Sequence, residues 1–386
     1  MNSRHAFQTE LAGISASGPD RITQRLLRLV HGARPVSRAD AAKSLNIEKT
    51  KLNAILKPLI ANGVVSEDRD NSISFLAENQ CFVGVNIGVR SSQVGITTPD
   101  GNVVDEDDFE TPSDAKVALQ LIRASIEKLA SKNTKAEIRF IGVSVPGSTD
   151  QDKRTLISAP HLGWRNVDIA AALQIDEKVR VVVENNSTSA ALFEAQVRIN
   201  EPSNFILVRS GTGIGVGIVI CGEVYRGTGA GRGISGEFGH MTIVAGGKSC
   251  VCGNRGCWEK YASAAAGASL YLGDRPPARG ESIPRFVEIV AKAENGDNRS
   301  RRTLEKIGDY LGIGIANVIM GVGIPRVIIS GRLVYGWEFI KGPMNEAIER
   351  SVVGKIDALS VEAGSPAGSG IGGAHEIALE GYLSLF

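Results

Sequence analysis

Between Gly236 and Glu259 the chain reads GEFGHMTIVAGGKSCVCGNRGCWE, which places one imidazole and three thiols, His240, Cys250, Cys252 and Cys257, within eighteen residues. Soft thiolates joined by an imidazole select tetrahedral zinc over harder cations. Four protein ligands leave no position for a reactive water, so the chemistry expected here is structural: a Zn2+ that fixes a loop. Glycines at 246, 247, 253 and 256 let the backbone fold tightly enough for ligands two and five residues apart to converge.

A second chemistry lies near the N-terminus. Between Arg21 and Lys57 the basic residues Arg21, Arg25, Arg28, Arg34, Arg38, Lys43, Lys49, Lys51 and Lys57 face only Asp40 and Glu48, a local charge of +7. Such a cluster can displace counterions from phosphates and so give affinity for nucleic acid without sequence information. The elements that must carry it are short. Ile22, Leu26, Leu27 and Val30 recur at helical spacing up to Gly32. Ser37 can cap a second helix over Arg38–Leu45, which Asn46 ends, and Leu52, Ile55, Leu56, Leu59 and Ile60 stripe a third, closed by Asn62-Gly63. Pro58, inside the third helix, should kink it near its end. Val64-Val65 and Ile73–Phe75 around a polar tip complete a winged helix-turn-helix, a DNA-reading module. Thr50, Lys51 and Asn53 are the expected base readers, with Arg38, Lys49 and Lys57 beside them as DNA contacts. Glu67, Asp68 and Asp70 would repel phosphate around Arg69, which makes the wing the weaker contact.

The whole chain has 386 residues with 43 Lys+Arg against 42 Asp+Glu, so overall charge decides nothing and only local charge speaks for nucleic acid. No apolar run approaches eighteen residues and the first residues lack an apolar signal core, from which a cytoplasmic protein with no membrane span is expected. Five cysteines, three of them in the ligand set, fit a reducing compartment, with Cys81 and Cys221 as packed thiols. Residues 1–17 read as a mobile arm, 18–78 as the DNA-binding domain and 79–386 as a larger mixed α/β body. That body opens with a β-meander turning at Pro99-Asp100-Gly101. A helix near Asp114–Ser131 and strands at Ile138–Ser144, Val181–Glu184, Phe205–Ser210 and Gly213–Ile220 follow.

Glu237-Phe238-Gly239-His240, Cys250-Val251-Cys252-Gly253 and Gly256-Cys257-Trp258-Glu259 resemble the ExGH and CxCGxxGCxE signature of the ROK family, which joins sugar kinases and sugar-responsive repressors. The resemblance implies a two-lobed actin-like ATPase (ribonuclease-H-like) body, with lobe 1 at about 79–196 plus a C-terminal helix near Glu376–Ser384 that packs back on it, and lobe 2 at about 197–370. It also implies that Glu237, His240 and Glu259 hold sugar hydroxyls while His240 ligates the zinc. Carboxylates accept hydroxyl protons and a metal-bound imidazole is rigid, so the roles are chemically sensible. Val145-Pro146-Gly147 matches the family's loop at the sugar cleft and Leu162-Gly163-Trp164 the segment after it. Gly147, His161, Asn185 and Asn186 thereby join the sugar set. His161 departs from the asparagine the family generally has there, which points to a different ligand preference.

Two further departures concern catalysis. Where kinases of this fold carry Asp-x-Gly-x-Thr for phosphate and magnesium, this chain has Asn86-Ile87-Gly88-Val89-Arg90, and the family's Glu-Asn-Asp with its catalytic base reads Glu184-Asn185-Asn186. An amide cannot take a proton from a sugar hydroxyl, so phosphoryl transfer loses its base and part of its metal site. The glycine-rich Ser210–Gly215 loop remains, but Arg332 replaces a second glycine after Ser330-Gly331 and crowds the adenosine site. The chain is thus expected to be a catalytically inactive, sugar-responsive repressor. Its partners would be operator DNA, a small carbohydrate and further copies of itself as a homodimer or tetramer, since paired heads are needed for two half-sites. Sugar would close the lobes and act on DNA through the linker near Ala77–Cys81. A sugar kinase with a regulatory N-terminal domain is the alternative.

Overall fold

The structure, a computed structural model, describes residues 19–32, 35–76, 80–133, 137–199, 201–227, 236–273, 275, 282–366 and 370–385. The arm expected at 1–17, Arg34 and most of the linker expected at Ala77–Cys81 lie outside the described residues. Contacts group the chain into two compact units, one holding residues up to Gln80 with those from Leu379 onward, the other Cys81–Ala378.

In the first unit α1 (Pro19–Gly32), β1 (Val36–Ser37), α2 (Arg38–Leu45), α3 (Lys49–Ala61), β2 (Val65–Glu67) and β3 (Ser72–Phe75) follow in order. Leu26 and Leu27 of α1, Leu52 and Leu56 of α3, and Ile73 are fully buried, so apolar stripes at helical spacing make the core. Ser37 Oγ accepts the Asp40 amide at 3.1 Å and starts α2. Asn46, left-handed at φ 53°, ends it by returning its amide to the Ala42 and Lys43 carbonyls. Only Ile47 and Glu48 then separate that stop from α3, which gives the tight turn of a helix-turn-helix. α3 runs through Pro58 to Ala61. The wing strands form a sheet ordered β1-β3-β2, with Val36 opposite Ile73. The two-residue β1 has too few positions to show a period. Phe75 meets His31 and Tyr382 edge-on, and Arg28 pairs with Glu380 at 3.1 Å.

The second unit contains two repeated lobes. The first holds β4 (Gln80–Ile87), β5 (Ser91–Thr97), β6 (Val103–Glu110), α4 (Ala115–Lys132), β7 (Glu137–Val145), β8 (Ser148–Thr149), β9 (Thr155–Ala159), β10 (Trp164–Asp168), α5 (Ile169–Leu173), β11 (Arg180–Asn185) and α6 (Asn186–Val197). The second holds β12 (Phe205–Ser210), β13 (Ile214–Ile220), β14 (Glu223–Tyr225), α7 (Glu259–Ala262), α8 (Ala266–Leu272), α9 (Phe286–Glu294), α10 (Asn298–Val322), β15 (Arg326–Gly331), α11 (Trp337–Glu349) and β16 (Ser360–Ala363), and α12 (Ile371–Leu383) ends the chain. The five-stranded sheets are ordered β11-β7-β4-β5-β6 and β14-β13-β12-β15-β16. In each, an antiparallel three-strand meander is followed by strands reached through helices, with β7 parallel to β11 and β12 parallel to β15. This is the duplicated, two-lobed actin-like arrangement. Among the described residues no helix is long and apolar enough to cross a membrane.

α12 starts five residues before the position read from the sequence. Its glycine-rich opening, Gly370-Ile371-Gly372-Gly373, has poor helix propensity but is set by packing. A Cβ on Gly373 would stand 2.5 Å from Ser189 Oγ, and one on Gly372 2.7 Å from the Phe193 ring. On the other side Gly142 of β7 admits the helix backbone so closely that a Cβ there would be 2.0 Å from the Ala374 carbonyl.

Candidate functional site

A short 3-10 turn, Glu237–His240, lies flat on β13, where Val216 donates its amide to the Gly236 carbonyl at 3.0 Å. A Cβ on Gly239 would stand 1.9 Å from the Ile214 carbonyl, so the glycine between Glu237 and His240 is what lets both side chains rise from one close contact. The loop then returns: Trp258 donates its amide to Met241, and its buried indole sends Nε1 to the Tyr310 carbonyl at 2.9 Å. This anchor fixes the next residue, Glu259, at the start of α7.

His240 turns Nδ1 toward Cys250 Sγ at 3.5 Å, and the Cys252 and Cys257 sulfurs stand 3.7 Å apart. All four ligand atoms lie within 4.8 Å of one another. Zinc bonds of about 2.0–2.3 Å place tetrahedral ligands roughly 3.5–3.8 Å apart, so two edges already match and the donor set fits the ion. Burial raises the pKa of the Cys250 and Cys257 thiols. A divalent cation reverses that by taking them as thiolates.

His240 also lines a cleft. Its Nε2 is 3.7 Å from Glu237 Oε2, its Nδ1 is 3.7 Å from Glu259 Oε1, and Glu259 Oε2 is 3.6 Å from His161 Nε2. Two carboxylates and two imidazoles thus alternate along one wall. Burial, opposed by His240 and reinforced by Glu259, lifts the Glu237 carboxyl above its ordinary range. Burial also acts against charge on the Glu259 carboxyl, yet His161, Cys250 and His240 outweigh it and hold that carboxyl below the ordinary range. Gly147, His161, Asn185, Asn186, Glu237, His240 and Glu259 all line this cleft, whose volume of about 360 Å³ suits one small ligand. Asn185 also has a structural task. Its Oδ1 caps α6 through the Ser187 amide at 2.7 Å, and its Nδ2 donates to the Gly147 carbonyl at 2.8 Å, which ties the Gly147 loop to the strand end. Glu184, just before it, is buried against Arg226 at 2.7 Å and Lys153 at 2.8 Å.

The Gly88–Ser91 turn, the Arg209–Gly215 loop and Gly331-Arg332 line the same cleft. Asn86 Nδ2 donates to Gln93 Oε1 at 3.1 Å across the β4–β5 pair. Two loop glycines pack closely on side chains: a Cβ on Gly213 would be 2.3 Å from Glu259 Oε2, and one on Gly215 1.8 Å from Ser187 Oγ. Sequence reading missed Arg209. Its signal was a lone charge at the end of the apolar strand Phe-Ile-Leu-Val-Arg-Ser.

On the helix-turn-helix, Lys49, Thr50, Lys51, Asn53 and Lys57 are exposed on α3, opposite buried Leu52, Leu56 and Leu59. Arg38 differs from these. It is half-buried, with Nε and Nη2 each 2.5 Å from a Glu67 oxygen and Nη1 donating to Asn53 Oδ1. Arg38 is therefore committed within the protein, and Glu67, read from the sequence as repelling phosphate, is neutralised by it.

A family model described as the ROK family matches residues 82–380. A xylose repressor of Bacillus subtilis (strain 168) is 26% identical over 351 residues, covering 87% of this chain and 88% of its own. That share exceeds what residues 82–386 can supply, so the match enters the helix-turn-helix unit. A glucokinase of Halalkalibacterium halodurans is 26% identical over 293 residues, covering 71% of this chain and 87% of its own. Among solved structures, a ROK family transcriptional regulator described as a homolog of the E. coli MLC protein superposes with a TM-score of 0.78 at 21% identity, covering 95% of this chain and 98% of that one. The matched span, the two-lobed body and the loop bearing Glu237, His240 and the three cysteines agree: the chain belongs to the ROK family.

Proposed function

We propose that this protein is a sugar-responsive DNA-binding regulator, a repressor of genes for carbohydrate uptake or breakdown, that has lost kinase chemistry. The observation that carries the proposal is the composition of the cleft. Its sugar wall keeps Glu237, His240 and Glu259 with His161 and two amides, while amides occupy both positions, 86 and 186, at which a kinase needs carboxylates. Asn186 can hydrogen-bond the hydroxyl that a kinase would deprotonate, but it cannot remove the proton. The extended match to a xylose repressor supports the reading, and the exposed Lys49, Thr50, Lys51, Asn53 and Lys57 supply phosphate and base contacts.

Zinc held by His240, Cys250, Cys252 and Cys257 would supply no reaction, only a fixed position for the loop that carries the sugar ligands. Sugar can alter DNA binding only if it binds the DNA-competent and incompetent states with different affinity. We take the working form to be a homo-oligomer, since two heads on two half-sites give the spacing that such a shift would break.

Fluorescence anisotropy of labelled DNA from the upstream region of the protein's own gene, at two salt concentrations and with a panel of neutral and acidic sugars, tests this. Sequence-selective, salt-dependent binding released by one sugar is the expected result; equal affinity for a scrambled duplex would falsify the reading. A kinase is the second reading, favoured by the matching glucokinase and by the Ser210–Gly215 loop still lining the cleft.

A further inference from the structure

α6, the last helix of the first lobe, lies on β13 of the second. It meets the strand at glycines: a Cβ on Gly217 would stand 2.5 Å from that of Ala191, and one on Gly215 1.8 Å from Ser187 Oγ. Glycines let the two backbones come close but offer no side chain to interlock, so this contact by itself holds the helix weakly against sliding. The directional contact beside it is ionic. Glu184, two residues before α6, is buried, and its Oε1 accepts Arg226 Nε at 2.7 Å and Lys153 Nζ at 2.8 Å. Lys153 belongs to the same lobe as Glu184: it sits in the β8–β9 turn at φ 55°, and its carbonyl accepts the Val183 amide at 2.8 Å. Arg226 comes from the other lobe. Tyr225 ends β14 opposite Ile218 of β13, so Arg226 leaves the strand at the level of Gly217. Next along β13 is Val216, whose amide holds Gly236 ahead of the Glu237–His240 turn.

A buried carboxylate is costly alone and is neutralised by one cation. Lys153 supplies that cation from within the first lobe. The second, Arg226, is surplus to neutrality, and what it adds is a tie across the lobe boundary. On one side of the tie stand Asn185 and Asn186, directly after Glu184; on the other stand Glu237 and His240, mounted on β13 beside the strand end that carries Arg226. Resting on the sugar-responsive reading above, we propose that Arg226 is a positioning residue: by gripping Glu184 across the boundary it sets where Asn185 and Asn186 stand relative to Glu237 and His240, and so how well one sugar reaches both halves of the site.

Pulsed electron resonance on the full-length protein tests the tie without any ligand. Spin labels on ketone-bearing residues introduced at exposed Lys116 of α4 and Lys341 of α11 report the separation of the lobes and leave the cysteines unmodified. Labelled chains are diluted with unlabelled ones, so that only distances within one chain count. Arg226→Gln, in which Lys153 still pairs with Glu184, should broaden the distance distribution, and Arg226→Lys should narrow it again in part. Lys153→Gln takes a cation from the same carboxylate but none from the boundary, and should keep the wild-type distribution. A distribution unchanged by Arg226→Gln, or broadened equally by Lys153→Gln, overturns the proposal. Calorimetry with xylose, glucose, N-acetylglucosamine and glucuronate reads the consequence. A sugar that binds the wild type should bind Arg226→Gln about 10-fold more weakly, the effect of one lost charge-assisted hydrogen bond on the fraction of molecules with both halves in place. Equal affinity for the two proteins also overturns the proposal. If no sugar binds the wild type while Arg226→Gln broadens the distances as described, the tie stands and the sugar-responsive reading falls.

Discussion

Arg38 and Glu67 form a two-pronged ion pair, Nε to Oε1 and Nη2 to Oε2 at 2.5 Å each, that joins the first residue of α2 to the wing strand β2. The same guanidinium holds Asn53 Oδ1 on α3. In the proposed DNA-reading role, the bond from Arg38 engages the Asn53 oxygen and leaves its NH2 group as the donor for acceptors such as guanine O6 and N7, thymine O4 or adenine N7.

Glu67→Ala should therefore weaken specific DNA binding although Glu67 itself carries the wrong charge for phosphate. It should also destabilise the N-terminal unit by about 1 kcal/mol, the scale of a partly exposed pair. The hydrogen bond from Arg38 holds the Glu67 carboxyl below its ordinary value of 4.5. The pair's contribution is thus complete above pH 4.5 and is lost as pH falls through the depressed folded value. Thermal melts of the wild type and Glu67→Gln between pH 3 and 7 check this: the difference between them should shrink at the acid end, and a constant difference would reject the linkage.

Removing one zinc ligand should release the metal. Cys252→Ser, at an exposed ligand, is expected to lower zinc affinity by more than the roughly 10- to 100-fold lost when only an outer-shell partner is removed. Metal content by atomic emission should fall, and sugar response with it, since Glu237 and His240 precede the loop and Glu259 follows it. Unchanged zinc per chain in both Cys252→Ser and Cys250→Ser rules out the assignment.

No ATP-dependent sugar phosphorylation above a no-enzyme control is expected from the wild type. Asn186→Asp should not restore it either, because Asn86 remains tied to Gln93 where the metal carboxylate belongs. Turnover by either protein in a coupled ADP assay would return the weight to the kinase reading.

His161 Nε2 stands 3.6 Å from Glu259 Oε2, on the wall proposed to hold sugar hydroxyls. His161→Asn, which restores the residue the family generally has at this position, should change the order of sugar preference by about tenfold in relative affinity. Calorimetry over the same sugar panel reads this out; an unaltered order with His161→Asn means the side chain faces no ligand.

Much of this protein was legible without coordinates. Caps and stripes act over a few residues, so Ser37, Asn46 and the leucines of α3 gave the bounds of α2, Arg38–Leu45, from sequence alone. Ligand spacing is equally local, which is why His240 and the three cysteines could be read as one set. The amides at 86 and 186 state their chemistry by residue type. Other features depend on register and packing between distant segments. The early start of α12 follows from Ser189 and Phe193 accepting its glycines. Arg209 and Arg332 become neighbours only through the Ser210–Gly331 pairing, 121 residues apart in the chain. Arg38 could be read as a DNA contact because its charge is visible in the sequence, whereas its carboxylate partner, 29 residues away, is brought to it only when β2 folds back. Local patterns fix which residues can do chemistry, and long-range sheet register decides which of them meet, because the energy of a pair depends on a few ångströms that no spacing in sequence specifies.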